Sequence, residues 1–241
     1  MSALLSAELL KLRTTRTFAA LAGVAVGISL LITVLVGILT EPTQDEVLRD
    51  VFANDVSFLF ILILAIVGIT GEWRHRTITS SLLAAPDRVR FLAAKTLAFA
   101  AAGVFLSLLI SLSVGAIGLA IMTIRDLPTP ELSEWLALVG RSAAVATLLG
   151  AFGVCVGALV RNQVVAVVGV LASGFVVEVT LLGLVPDVGR FGPVLALPGG
   201  INNIDDDPEL LAPGVAALAM LGWITVTYVA GALLLRRRDL D

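Results

Sequence analysis

Few residues of this 241-residue chain could take part in covalent or metal chemistry. Cys155 is its only cysteine and His75 its only histidine, so a disulfide within the chain cannot form and a His/Cys metal cage is disfavoured. No G-x-x-x-x-G-K-[ST], H-E-x-x-H or G-x-S-x-G sequence occurs, and neither Lys11 nor Lys95 follows a glycine-rich loop. The sequence therefore predicts no enzyme, no metal site and no cofactor bound by the chain alone.

Glu178 is the carboxylate whose position is most unusual. It lies inside an apolar run, about two helical turns from the end of that run. An ionised side chain at such a depth in a membrane costs about 3 kcal/mol unless it is paired or hydrated. Glu178 either faces a substrate or proton pathway or lies near enough to the outer head groups to be hydrated. Arg141 is its candidate partner by depth.

The elements that must position these residues are long apolar runs. Hydrophobic residues make up 58% of the chain and charged residues 15%, whereas soluble domains are about 45–50% apolar. The runs are continuous rather than alternating, and most reach the roughly 20 residues that a spanning helix needs, so they predict helices rather than barrel strands. We expect an all-α integral membrane protein with a single transmembrane domain over residues 1–241 and six spans, at 18–39, 56–70, 96–122, 142–160, 164–184 and 215–235.

The distribution of charge predicts which side of the membrane each loop faces. With the N-terminus inside, the inner segments contain twelve of the 16 basic residues and only five of the 19 acidic residues. Loops rich in Lys and Arg stay on the cytoplasmic side of a membrane. We therefore expect a multi-pass protein of the inner (plasma) membrane, with both termini in the cytoplasm.

Residues 1–17 predict a short amphipathic helix that lies in the inner interface. Three leucines recur there at helical spacing: Leu5, Leu9 and Leu12. Glu8 and Lys11 lie on another face of the same helix. The alternative is a plain cytoplasmic stub whose basic residues only set the orientation of the first span.

The loop at 71–95, GEWRHRTITSSLLAAPDRVRFLAAK, predicts a second amphipathic helix on the cytoplasmic side. Thr77 can cap this helix and Pro86 ends it. Its apolar residues recur at i, i+4 and i+7: Ile78, Leu82 and Ala85. Such a helix at a membrane surface suits a groove in a partner protein, although the spacing fits a solvated loop equally well. Three basic residues should hold the returning chain at the head groups: Arg88, Arg90 and Lys95.

The same loop resembles the loop between the second and third spans of ABC-2-type permeases, the membrane subunits of ATP-driven exporters. The usual pattern there is G-E-[aromatic]-R-x-G-T, a Leu-rich stretch, a proline and a basic return. It is matched by Gly71, Glu72, Trp73, Arg74, Thr77, Leu82, Leu83, Pro86, Arg88 and Lys95. Arg76 stands where a glycine is common. The likeness in sequence covers about 25 residues. The likeness in architecture covers the whole chain, with six spans, a basic C-terminus and an N-terminal E-L-x-K-x-R helix that contains Glu8, Leu9, Lys11 and Arg13.

The resemblance implies roles for particular residues. Separate ATPase subunits, which bind ATP and Mg²⁺, would dock on a coupling helix that contains Thr77, Ile78, Leu82, Leu83, Ala85 and Pro86. A charged gate at the cytoplasmic mouth would consist of Glu72, Arg74 and Arg76. The proline-rich segment 185–213 would form a re-entrant pair of short helices at the outer end of the pathway, although its composition fits an ordinary acidic loop equally well.

The sequence therefore favours the permease subunit of an ABC exporter, which forms its pathway with a second copy of itself or with a related chain. Its partners would be the ATPase subunits and the lipid bilayer, with no nucleic acid. A gradient-driven small transporter with Glu178 as its ion-linked group would instead transport without an ATPase. A non-transporting membrane scaffold or immunity-type protein would have no ATPase partner. The apolar spans fit drug, lipid, peptide and ion cargo alike.

Overall fold

The computed structural model describes residues 2–75, 77, 87–204 and 207–237. Six helices among them are long and apolar enough to cross a membrane, so the prediction of a helical membrane protein is confirmed at this level. The helices in chain order are α1 (Ser2–Thr14), α2 (Arg16–Leu39), α3 (Ser57–Arg74), α4 (Arg88–Ile124), α5 (Leu132–Val160), α6 (Gln163–Leu184), α7 (Pro186–Gly189), α8 (Ala196–Ile201) and α9 (Pro213–Arg237). The side of the membrane on which the termini lie stays a prediction.

Two of the long helices begin well before the apolar runs that predict their spans. α4 starts at Arg88 rather than at residue 96, because the Asp87 carboxylate accepts hydrogen bonds from two backbone N–H groups of its first turn. α5 starts at Leu132 rather than at residue 142, behind a capping box that begins at Glu131. Hydropathy marks the part of a helix that suits lipid, whereas caps fix its polar end, so each helix contains its predicted span and extends beyond it. The bounds of the spans themselves stay predictions.

Glycines allow α4 and α5 to pack with their backbones in close contact. A Cβ atom added to Gly103 of α4 would lie 2.4 Å from the carbonyl oxygen of Ala146 in α5. One added to Gly150 of α5 would lie 2.5 Å from the carbonyl oxygen of Phe99 in α4. Small residues at such a crossing allow the approach that van der Waals packing between membrane helices requires.

Of the two GxxxG pairs in the sequence, the pair in α5 lies at a helix contact. A Cβ atom on Gly153 would lie 2.8 Å from an α3 backbone oxygen, and one on Gly157 would lie 2.3 Å from an α3 isoleucine side chain. The pair in α2, Gly23 and Gly27, has open space at both positions. α5 is therefore the central helix of the bundle, in contact with α3, α4 and α9.

α7 and α8 occupy the segment where the sequence predicts a re-entrant pair. α8 packs its buried residues against α5 and α9. Trp223 of α9 donates from Nε1 to the carbonyl oxygen of Phe191, at 3.0 Å. Arg141, the candidate partner of Glu178 by depth, donates to the carbonyl oxygen of Asn203, at 2.9 Å. That the segment re-enters the bilayer stays a prediction.

Replacing Gly150 by alanine should destabilise the bundle. The new methyl group would overlap the Phe99 carbonyl and push α4 away from α5, at a cost of about 1–3 kcal/mol. Gly140→Ala is the matched control in the same helix, where an added Cβ meets nothing within 4 Å. The control should be neutral or slightly stabilising. Thermal unfolding in detergent measures both variants, and equal Tm values would contradict the packing described.

Candidate functional site

Four charged side chains meet where α1 packs against the adjoining ends of α3 and α4. Lys95 of α4 is central, with its Nζ 2.6 Å from Glu8 Oε2 of α1 and 2.8 Å from Glu72 Oε1 of α3. The Nζ atom of Lys11 lies 2.8 Å from Glu8 Oε1 and 3.4 Å from Glu72 Oε1. We call these four residues the charge cluster.

Three members of the charge cluster are buried. The side chain of Lys95 is 3% exposed, that of Glu8 8% and that of Glu72 9%, whereas that of Lys11 is 53% exposed. Taking ions out of water is costly, and their attraction offsets the cost only when they are close and hydrogen-bonded. The ammonium group of Lys95 meets this condition, and the Phe91 ring lies beneath it, 5.5 Å from Nζ to the centroid. Lys95 therefore joins three helices.

The structure gives Lys95 and Glu8 partners that the sequence does not indicate. The ammonium group of Lys95 lies between the two carboxylates of the charge cluster and is not free to contact head groups, while its depth in the membrane stays a prediction. Glu8 belongs to the buried face of α1, whereas Leu9, assigned to the apolar face, is 39% exposed. Periodicity within α1 could not indicate this arrangement, because the partner of Glu8 is 87 positions away in the sequence.

The lysines hold the Glu8 carboxyl in its charged form. Burial by itself raises the pKa of Glu8, but the attraction of Lys95 and the hydrogen bonds from both lysines outweigh burial and leave the pKa below its usual value. Burial by itself lowers the pKa of Lys11, but its contacts with Glu8 and Glu72 outweigh this and raise the pKa. The stability that Glu8 contributes is present above pH 4.5 and is lost as pH falls through its folded value. The stability that Lys11 contributes is present below pH 10.5 and is lost as pH rises through its folded value.

The Tm of the protein in detergent should therefore be constant through the neutral range and fall in acid. The variant Glu8→Gln should have a shallower acid limb, because it lacks the carboxyl whose protonation weakens the charge cluster. Melting curves between roughly pH 3 and pH 9 would show the difference. Identical acid limbs for the two proteins would contradict a folded pKa of Glu8 below its usual value.

Replacing Lys95 by methionine should destabilise the protein by about 3–5 kcal/mol, since it leaves two adjacent carboxylates buried without their central cation. Lys11→Met is the matched control. Because Lys11 is half exposed, its loss should cost at most about 1 kcal/mol. Denaturant titrations in mixed micelles measure both variants. A loss for Lys95→Met no larger than that for Lys11→Met would contradict the central position of Lys95.

A cavity of about 680 Å³ lies beside the charge cluster. The polar residues that line it are the charge cluster, Thr15, Thr17, Arg74, His75, Thr77 and Gln163. The apolar residues that line it are Leu12, Phe18, Leu64, Val67 and Phe99. Oε2 of Glu72 is buried and accepts no hydrogen bond from any residue that the structure describes. This oxygen has almost no accessible surface, so it does not face the cavity.

Most of the predicted docking element lies outside the described residues. This applies to Ile78, Leu82, Leu83, Ala85 and Pro86, and also to the predicted gate residue Arg76. Thr77 is described, and its backbone N–H donates to the carbonyl oxygen of Glu72 at 2.9 Å, just beyond the end of α3. The docking role of residues 77–86 stays a prediction.

The other two predicted gate residues, Glu72 and Arg74, both line the cavity. Glu72 is buried in the charge cluster, whereas Arg74 is exposed and donates from Nη1 to Oε1 of Gln163 at the start of α6, at 3.3 Å. The structure thus brings the described part of the predicted gate to one cavity and adds Glu8, Lys11 and Lys95 to it. Their role as a gate stays a prediction.

Glu178 fixes the segment between α7 and α8 to α6. Its Oε1 accepts the backbone N–H of Val194 at 2.9 Å, and its Oε2 accepts those of Leu195 and Ala196 at 2.8 and 3.1 Å. The residue is 3% exposed, so the hydrated alternative is wrong. It ends a π-helical segment, Ser173–Glu178, in the middle of α6. Glu178 does not line the cavity beside the charge cluster, and its contact with a pathway stays a prediction.

Sequence reasoning missed a further polar contact between spans. Asp55, just before α3, accepts with Oδ2 from the hydroxyls of Ser107 and Ser111 in α4, at 2.6 and 2.8 Å. Its Oδ1 accepts the backbone N–H of Ser57 at 2.8 Å. Two serines at i and i+4 within an apolar helix are the signal that could have indicated a partner on a neighbouring helix.

Comparison with known proteins gives no family assignment, since no protein-family model and no curated protein matches the chain. The resemblance to ABC-2-type permeases therefore depends on the 71–95 loop and on the helical architecture.

Proposed function

We propose that this chain is the permease subunit of an ABC exporter in the inner (plasma) membrane. It would form the translocation pathway with an identical or related chain, and separate ATPase subunits that bind ATP and Mg²⁺ would dock on residues 77–86. The likeness of the 71–95 loop supports the proposal, as do the six helices of spanning length. The excess of basic residues in the predicted inner segments supports cytoplasmic termini.

The position of the charge cluster is the observation that supports this proposal most. Glu72 lies near the end of α3 and Lys95 near the start of α4. Their 2.8 Å contact therefore joins the two helices that the proposed docking loop connects. Glu8 attaches α1 to the same point through its 2.6 Å contact with Lys95. A displacement of the loop would therefore be transmitted to α1, α3 and α4 together.

The proposed cycle is mechanical. ATP closes a pair of ATPase subunits, which displace the docking element of each permease chain. The joined ends of α3 and α4 then tilt against α5, and the two permease chains open their shared cavity outward. Such coupling requires that the ATPase contacts differ in strength between the two states, because only a differential affinity shifts a conformational equilibrium.

The double variant Leu82→Asp/Leu83→Asp should lose the ATPase partner, because charged side chains cannot be buried in an apolar groove without a large desolvation cost. The tagged permease is co-expressed with a candidate P-loop ATPase, and the ATPase retained after purification is quantified. The wild type should retain stoichiometric ATPase, and the variant should retain little.

The matched control is Ile124→Asp/Leu132→Asp, which adds the same charge at the opposite end of the bundle. Both residues are exposed, 83% and 67%, at the end of α4 and the start of α5. This control should keep the ATPase. Full retention by the Leu82/Leu83 variant, or transport that needs no ATPase and follows a proton gradient, would contradict the proposal.

A further inference from the structure

A π-helical turn interrupts α6 at Ser173–Glu178. No proline lies between Gln163 and Leu184, so no missing backbone N–H imposes the interruption. Ser173 and Gly174 make the helix easy to deform at this point, but such a pair does not require a π turn. Because π-helical turns are rare, we infer that a contact outside α6 stabilises this one.

The π turn keeps the buried side of α6 continuous. The buried residues of α6 follow one another at intervals of four: Ala166, Val170, Gly174 and Glu178. In a regular α-helix each interval of four drifts by about 40°, so Glu178 would point about 120° away from Ala166. The π turn contains more residues per turn and brings Glu178 back toward the buried side. The direction of the Glu178 side chain therefore depends on the π turn.

On the buried side, the Glu178 carboxylate accepts three backbone N–H groups at distances between 2.8 and 3.1 Å. They belong to Val194, Leu195 and Ala196. The carboxyl carbon packs against Gly192, where an added Cβ atom would overlap it. Ionised acceptors form the stronger hydrogen bonds, and a buried carboxylate is destabilising without its donors. The π turn and this contact therefore stabilise each other.

The side chains within the π turn have few neighbours that would oppose a change. Phe175, Val176 and Val177 are each more than half exposed. The start of α6 is held separately, since Oε1 of Gln163 accepts from Arg74. α6 can therefore become regular beyond Gly174 without loss of that attachment.

We propose that Glu178 and the π-helical turn form a latch with two positions. In the closed position, which the structure shows, the carboxylate holds residues 194–196 and α6 keeps its π turn. In the open position the carboxylate leaves these N–H groups, α6 is a regular α-helix, and the segment between α7 and α8 separates from it. An ionised carboxylate turned toward lipid is costly, so the closed position is the more stable one. The latch does not depend on the proposed function.

Hydrogen exchange of the full-length protein in detergent, followed by mass spectrometry of short peptides, tests the proposal. In Glu178→Gln one neutral amide oxygen replaces two charged acceptors, so the amides of residues 194–196 should exchange at least about tenfold faster. The amides of α4 and α5 should keep their wild-type rates. The exposed residue Glu209 supplies the matched control, Glu209→Gln, which should exchange as the wild type does. Unchanged rates at 194–196 in Glu178→Gln, or equal acceleration throughout the chain, would overturn the proposal.

Deletion of Val176 tests the part that the π turn plays. The intervals between the buried residues become four, four and three, so a regular α-helix would place Glu178 within about 20° of Ala166. The latch should then stay closed without a π turn and lose its open position, and residues 194–196 should exchange more slowly than in the wild type. Exchange as fast as in Glu178→Gln would contradict a π turn that changes with the latch.

Gly192→Ala opens the latch without removing its charge and serves if Glu178→Gln does not fold. The new methyl group displaces the Glu178 carboxyl from its three N–H donors, so residues 194–196 should again exchange at least about tenfold faster. Gly183→Ala is the matched control, because an added Cβ atom there meets nothing within 4 Å. Equal exchange at 194–196 in these two variants would overturn the proposal.

Discussion

The ammonium group of Lys95 holds three helices together at one end of this bundle. It bonds to a carboxylate of α1 and a carboxylate of α3 while belonging to α4, and all three side chains are more than nine-tenths buried. Without it the two carboxylates would face each other in a region of low dielectric constant, where repulsion is strong. Three features depend on this group: the attachment of α1, the contact between the end of α3 and the start of α4, and the polar lining of the cavity.

The opposite end of the bundle is held by contacts of another kind. Arg125 donates to the backbone carbonyls of Gly37 and Thr40, both at 2.7 Å, and Asp55 accepts from two serines of α4. Glu178 accepts hydrogen bonds from three backbone N–H groups at the start of α8 and just before it. These contacts tie side chains to loops and to backbone, whereas the charge cluster ties helix to helix. Under the proposed function, motion would begin at the charged end and pivot on the close contact between α4 and α5.

The apolar runs made the spanning helices predictable from the sequence, because lipid requires about 20 apolar residues in succession whatever the tertiary contacts are. The starts of α4 and α5 were less predictable, because the Asp87 and Glu131 caps add polar turns that hydropathy ignores. The pairing of Glu8, Glu72 and Lys95 could not be predicted, since no periodicity within a segment reports a partner on a distant one. The resemblance pointed to Glu72, Arg74 and Lys95 in the loop and to Glu8 and Lys11 in the N-terminal helix, but not to the contact between the two segments.

A double-mutant cycle on Glu8 and Lys95 tests the central claim most directly. Unfolding free energies are measured for the wild type, Glu8→Gln, Lys95→Met and the double variant in the same micelles. Direct contact predicts a coupling energy of about 1–3 kcal/mol, because the second change costs little once the first has removed the pair. Additive effects, within about 0.5 kcal/mol, would show that α1 is not held by Lys95 and would contradict the account.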